Sequence, residues 1–170
     1  MSIIVAFTFA DGLPGIKEDS TVQIQVSGNN LVLEEIKMGF KMSVLNTFKI
    51  PTDNIITVGM ITEKDLIDSN SAISRGIAGA LLLGPVGAIV GGISGIGRKK
   101  VVASKYFVIS YMPSSGALEP KSVVLKAKGS QGLFVKSIIA EIDSVDKSDR
   151  VKEYLQPNSL AKSEDGSVTL

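Results

Sequence analysis

The sequence predicts a mainly β protein with one amphipathic helix near its C-terminus, interrupted by a long uncharged segment that is rich in glycine. Short runs of alternating apolar and polar residues occur on both sides of this segment, and such runs are typical of half-buried antiparallel strands. After residue 130 the apolar residues recur at spacings of three and four, as they do on a helix. Residues 76–97 hold no charge and eight of the chain's 17 glycines.

Five strands are predicted before the glycine-rich segment, at residues 3–9, 21–26, 31–36, 42–50 and 55–61. The second is the clearest, because Val22, Ile24 and Val26 alternate with two glutamines. Gly39 marks a bend. Residues that favour turns separate the other strands, in the runs Asp11-Gly12-Leu13-Pro14-Gly15, Ser27-Gly28-Asn29-Asn30 and Pro51-Thr52-Asp53-Asn54.

Two strands are predicted after the segment, at residues 101–112 and 122–128, and in the first of them Tyr106 and Val108 alternate with Phe107 and Ile109. The helix that follows has Ser130 placed to cap its N-terminus. Its apolar face consists of Val135, Ile138, Ile139, Ile142 and Val145. A helical extension over Asp149–Gln156 is expected to stop before Pro157, with Val151, Tyr154 and Leu155 on one face.

A chain of 170 residues suits one domain with a tail. We expect the domain to cover residues 1–147, with the glycine-rich insert at 71–100. Residues 148–157 form the helical extension. Residues 158–170 are small and polar, so they are expected to be a disordered tail.

The glycine-rich segment has small residues at regular spacing. One row has a small residue at every fourth position (Gly76, Ala80, Gly84, Ala88, Gly92), and a second row consists of Gly87, Gly91 and Gly95. Residues four apart share a helix face, so a helix here would have a flat face that another helix can approach closely. Each glycine costs about 1 kcal/mol relative to alanine in a helix. Such a helix therefore needs a neighbour, a lipid phase or the rest of the fold.

A bent hairpin fits the segment better than a single membrane span. One helix of this length would be about 33 Å long, enough for a hydrocarbon core of about 30 Å. However, Gly84-Pro85 near its middle would kink or break it. Strands on both sides that form one domain also require both ends to return to the same side. Membrane contact, self-association without lipid, an intramolecular buried hairpin and a mobile loop remain open.

Basic residues flank the uncharged run. They either hold its ends in water or contact lipid phosphates, where each would contribute about 1 kcal/mol. The candidate residues for oligomer or membrane contact are Gly79, Gly84, Gly87, Gly91 and Gly92. The candidate basic rim consists of Arg75, Arg98, Lys99 and Lys100, with Lys105 nearby.

Composition excludes several function classes. The absence of Cys removes disulfides and thiolate metal sites, and the absence of His removes the commonest general base and zinc ligand. The net charge of +1 provides no field that would attract nucleic acid. We therefore expect no enzymatic activity, catalytic residue, cofactor, metal or nucleic-acid partner. The N-terminus lacks a secretory signal pattern, so a cytoplasmic location is expected, with peripheral attachment to the inner face of the membrane as an option.

Three further patterns in the sequence match functional sites only weakly. Gly92–Lys99 resembles a phosphate-binding loop, but Arg98 and Lys99 stand where that motif needs Lys and then Ser or Thr. Glu34 and Glu35 are neighbours on a predicted strand, so they should point to opposite faces at a solvated strand end. Asp143 and Asp146 fit the polar face of the helix.

Three runs of residues carry a resemblance to a known family. They are Gly12-Leu13-Pro14-Gly15, then Phe48-Lys49-Ile50-Pro51 leading into Asp53-Asn54-Ile55, and then Gly79–Gly92 followed by basic residues and Tyr106-Phe107-Val108-Ile109. Over residues 12–146 the chain resembles bacterial pleckstrin-homology-like (PH-like) proteins that carry a glycine-zipper insert. The resemblance implies a bent antiparallel barrel of six to seven strands capped by a C-terminal helix, with a glycine-rich helical hairpin inserted between two central strands.

The resemblance also implies a non-enzymatic binding or membrane-associated module. Its expected partner is a second copy of the chain or an anionic membrane surface. The alternative is a protein-binding regulator that inhibits, activates or sequesters a host enzyme or assembly through the barrel or the hairpin.

Overall fold

The structure is a computed structural model, and it describes residues 3–62, 105–127 and 132–160. Over these ranges the fold is mainly β. Its strands are β1 (Val5–Asp11), β2 (Thr21–Ser27), β3 (Asn30–Lys37), β4 (Ser43–Pro51), β5 (Ile55–Thr62), β6 (Lys105–Tyr111) and β7 (Lys121–Lys126). Its helices are α1 (Gly132–Asp143) and α2 (Asp149–Leu160), and a 3-10 turn over Thr52–Asn54 joins β4 to β5.

The seven strands form one antiparallel sheet in the order β4-β3-β2-β1-β7-β6-β5. β1 lies at its centre, pairing with β2 through residues 5–8 and with β7 through residues 8–11. Strands from before and after the glycine-rich segment therefore share backbone pairing, as the sequence predicts. Among the described residues the sheet is open, with β4 and β5 as its outer strands.

One hydrophobic core covers the inner face of the sheet. Every strand contributes buried side chains to it, among them Phe7, Ile24, Leu33, Ile50, Ile55, Phe107 and Leu125. α1 contributes Val135, Ile138 and Ile142, which confirms the apolar face predicted from their spacing. Val145 lies beyond the end of α1 and is partly buried.

The sheet curves around this core. A flat sheet of seven strands would be about 29 Å wide at the usual strand spacing, but its two outer strands, β4 and β5, are joined by only the three residues of the 3-10 turn Thr52–Asn54, a span of about 14 Å at most. The two outer strands must therefore approach each other. α1 packs against both β2 and β5, and the core is continuous from β4 to β5. The rings of Phe7 and Phe107 also stack across β7, with their centroids 5.3 Å apart.

A second, smaller apolar cluster lies on the opposite face, where Tyr106 and Val108 pack with Val124. The predicted alternation of β6 is confirmed, since Phe107 and Ile109 belong to the main core.

α2 is held to the sheet by packing and by hydrogen bonds. Val151 is buried against Ile56 and Met112, with Tyr154 and Leu155 beside them, as their predicted common face requires. The Arg150 guanidinium donates to backbone carbonyls of the β6–β7 loop, at Pro113 (3.1 Å), Gly116 (2.9 Å) and Ala117 (3.3 Å).

Several boundaries differ from the sequence prediction. β1 begins and ends two residues later than predicted, at Val5 and Asp11. α2 ends at Leu160, three residues beyond Pro157, so the prediction that Pro157 stops the helix is wrong. The glycine-rich segment is predicted to lie between two central strands, and it lies in the β5–β6 connection. β5, however, is an outer strand of the sheet, because the 3-10 turn leads from β4 to β5 without pairing the two strands. The predicted cap Ser130, residues 101–104 and the tail beyond Leu160 lie outside the described residues.

Gly12 allows β1 and β7 to approach closely. Its φ is +102°, and a Cβ there would lie 2.0 Å from the carbonyl oxygen of Ser122. Gly15, in the same turn, also has a positive φ (+78°) but has open space around it.

We expect Gly12→Ala to lower the free energy of unfolding by about 3 kcal/mol or more, because backbone strain and a backbone clash add together. In the matched control Gly15→Ala only the backbone strain applies, so the free energy of unfolding should fall by about 1 kcal/mol. Urea unfolding measures both. Equal losses in the two variants would contradict the close approach.

Candidate functional site

The residues that the sequence predicts as functional lie outside the described part of the chain. Gly79, Gly84, Gly87, Gly91 and Gly92 fall in residues 63–104, and so do the basic residues Arg75, Arg98, Lys99 and Lys100. Their role in contact stays a prediction.

The two ends of the connection that holds them are described. Thr62 at the end of β5 is the cross-strand partner of Lys105 at the start of β6, and Ile61 pairs with Tyr106 in the next position. The chain therefore leaves the sheet and re-enters it at adjacent positions. Lys105 is exposed there.

Exposed apolar side chains concentrate at a different place, the β3–β4 tip, which we define as residues 37–45. Of the eight large hydrophobic side chains exposed in the described ranges, five lie in this tip, namely Met38, Phe40, Met42, Val44 and Leu45. Phe40 is fully exposed, and Met38 and Met42 are 75% and 64% exposed. Clusters of this kind mark interaction sites more often than scattered single residues do.

The register of β3 and β4 explains why these side chains leave the core. Regular pairing reaches Lys37 and Ser43, and residues 38–42 form the connection beyond it. A register shift places Asn46 opposite Glu35 and Val44 opposite Ile36, so Leu45 is an extra residue in the ladder. Such a bulge bends and twists its strand, and Leu45 is exposed here.

A hydrogen bond crosses the ladder beside the bulge. Asn46 Nδ2 donates to the Glu35 carboxylate, and Glu35 is only 7% exposed. Glu34, on the opposite face, accepts a hydrogen bond of 2.7 Å from Gln23 Nε2. The predicted opposite orientation is thus confirmed, but the predicted solvated position is wrong for Glu35, since it continues the inner-face row of Leu31 and Leu33.

The β3–β4 tip carries positive charge around its apolar side chains. Lys37 and Lys41 are exposed within it, and Lys49 is exposed further along β4. No acidic residue occurs between Glu35 and Asp53. The tip therefore combines an exposed aromatic ring and two methionines with a basic rim.

β4 is also an outer strand of the described sheet. Its residues 43–47 are exposed on both faces, and its far edge has no neighbouring strand within the described ranges. Such an edge can pair with a strand from another chain.

The two aspartates predicted to share the polar face of the helix are placed differently. Asp143 is exposed on α1, but Asp146 lies beyond its end, so the prediction is wrong for Asp146, which forms a salt bridge of 3.1 Å with Lys152. Burial raises the pKa of the Tyr111 phenol at the end of β6. Over the three described ranges, no group of three or more His, Cys, Asp or Glu is arranged to hold a metal ion.

The β3–β4 tip was not among the sites predicted from the sequence. In the sequence this tip is marked by apolar residues at every second position, Met38, Phe40 and Met42, with Gly39 and Lys41 between them. That spacing also fits a half-buried strand, and only the register of the hairpin shows that these residues lie beyond the core.

No protein-family model, curated protein or solved structure matches this chain. Within residues 3–62, 105–127 and 132–160, neither helix has the length and apolar character needed to cross a bilayer.

The Glu35–Asn46 hydrogen bond gives a test of the bulge. We expect Asn46→Ala to lower the free energy of unfolding by about 1–3 kcal/mol, because it removes a donor from a buried carboxylate. The control Ser43→Ala, at an exposed position of the same strand, should change it by less than about 0.5 kcal/mol. Urea unfolding midpoints that coincide for the two variants would show that the bond does not stabilise the hairpin.

Proposed function

We propose that this chain is a non-enzymatic PH-like binding module that attaches peripherally to an anionic membrane surface. In this proposal the glycine-rich segment forms a helical hairpin and makes the contact through Gly79, Gly84, Gly87, Gly91 and Gly92. The basic residues Arg75, Arg98, Lys99 and Lys100 lie at the headgroups, on the cytoplasmic side of the membrane.

The observation that carries the proposal is the pairing of Thr62 with Lys105. A single crossing of a bilayer between them would place two hydrogen-bonded strands on opposite sides. An apolar segment joined to the sheet in this way can meet a lipid phase only by entering and returning on one side. Its uncharged core and basic flanks suit that geometry, since cations near anionic headgroups are attracted and apolar side chains gain from burial.

The PH-like identity is supported by the strand count and by the helix. Seven antiparallel strands in one curved sheet, followed by α1 against the inner face, agree with the architecture that the resemblance implies. That architecture hosts many unrelated partners, so the lipid preference has to be tested on this chain.

We expect the full chain to float with vesicles that contain anionic lipid at about 0.1 M salt and to float much less at about 1 M, where the Debye length falls from about 10 to about 3 Å. Vesicles of neutral lipid alone should recover less protein. Flotation in sucrose gradients measures all three conditions. An absence of flotation at every lipid composition would contradict the membrane proposal.

The glycine rows also suit self-association, because a flat face allows close approach of two helices. We expect Gly87→Leu combined with Gly91→Leu to block close packing and change the size of the assembly. The matched control, alanine at both positions, keeps the face nearly flat and should behave as the wild type. Light scattering with and without detergent measures the mass, and identical masses for the leucine variant and the wild type would count against a glycine-mediated assembly.

A second candidate function is a regulator that binds a host enzyme or assembly. The exposed outer edge of β4 favours it, because such edges accept strands from partners. Recovery of one protein in a fixed stoichiometric amount would favour this function over lipid binding. Recovery of only general membrane proteins would favour the first.

A further inference from the structure

We propose that the β3–β4 tip inserts Phe40 into the interface of an anionic lipid bilayer, with Met38 and Met42 beside it and Lys37 and Lys41 at the headgroups. This inference rests on the proposed membrane association and adds to it a contact made by described residues.

The apolar side chains of the tip belong to none of the three apolar clusters described above. Phe40 is fully exposed in the connection beyond the last paired residues, Lys37 and Ser43. Burying a side chain of this size in an apolar phase is favourable. The two methionines are unbranched and flexible, so they can adapt to a surface without fixed shape.

The charges within the tip match an anionic surface. Lys37 and Lys41 lie within one residue of the exposed apolar side chains, and the nearest acidic residues along the chain are Glu35, which is buried, and Asp53. Glu18 and Asp19 are exposed at the same end of the sheet, before Thr21, which pairs with Ile36 at the base of the tip. A lysine near a membrane can bury its hydrocarbon stem while its ammonium group stays at the headgroup level. An apolar centre with a basic rim is the pattern of interfacial membrane contacts.

A second copy of this chain fits the tip less well. Two tips related by a two-fold axis would bring the lysines of one copy against those of the other, since such an interface uses the same patch twice. The connection consists of only residues 38–42, whereas stable protein interfaces bury about 800 Å² on each partner. Strand addition to β4 would engage residues 43–51 and leave the connection free.

The tip and the glycine-rich segment are separate contacts. The tip precedes β4 and the segment follows β5, so both strands and the 3-10 turn between them separate the two contacts along the chain.

Because the chain has no Trp, one substitution creates a local reporter. In full-length protein, Phe40→Trp places an indole at the tip. Phe134→Trp is the matched control, since Phe134 is 58% exposed on α1. With vesicles of phosphatidylcholine and phosphatidylserine, we expect a blue shift and quenching by lipid-chain nitroxides for Phe40→Trp only. Phosphatidylcholine vesicles alone should give a smaller shift.

Binding strength provides a second readout. Phe40→Ser should weaken vesicle binding by about tenfold to a hundredfold, as expected for removing one buried aromatic side chain. Phe134→Ser should leave it unchanged. Lys41→Glu should weaken binding by about fivefold or more, while Lys136→Glu, the same charge change at an exposed position of α1, should have a smaller effect. Unchanged melting midpoints confirm that the tip variants remain folded.

The outcomes separate the two proposals. Flotation of Phe40→Trp protein whose indole keeps its aqueous emission would overturn the role of the tip and leave the glycine-rich segment as the contact. A shifted and quenched indole, with flotation unchanged by Gly87→Asp combined with Gly91→Asp, which place two charges in the apolar run, would support the tip and count against the segment. Absence of flotation would overturn both. A shift caused by a soluble protein and not by vesicles would assign the tip to a protein partner instead.

Discussion

The pairing of β5 with β6, and of β1 with β7, is the constraint on which the rest of the structure depends. It joins residues from before and after the glycine-rich segment into one sheet. Without it the two sets of strands would be separate small units, each with half of the inner face uncovered. With it, α1 can cover a single core from the concave side, and the ends of the segment are brought together at Thr62 and Lys105.

The same arrangement explains which apolar residues are buried and which are exposed. The curved sheet concentrates its large side chains around Phe7, Phe107 and α1. Residues 38–42 extend past the last paired position of the β3–β4 hairpin, so no part of that core can cover them. Glu35 shows the opposite outcome, because its position in the inner row buries a carboxylate whose hydrogen bond comes from Asn46.

Two apolar elements that leave the sheet at different places are proposed as membrane contacts. One is the glycine-rich segment, proposed as the membrane or self-association contact. The other is the β3–β4 tip, whose exposed ring and lysines suit an anionic interface. Together they would hold the sheet against a membrane at two points, which strengthens attachment because the second contact is made within an already bound molecule.

Local patterns in the sequence determined the type of most elements. The alternation around Val22 and Ile24 predicted a strand, the spacing of Val135, Ile138 and Ile142 predicted α1, and Gly12 marked a turn. These properties are set by the nearest neighbours in the chain, so they can be recognised without coordinates. The tertiary structure alone decided the register, the burial of Glu35 and the exposure of Phe40. Each of these depends on contacts or pairing between residues distant in sequence, and no local periodicity encodes them.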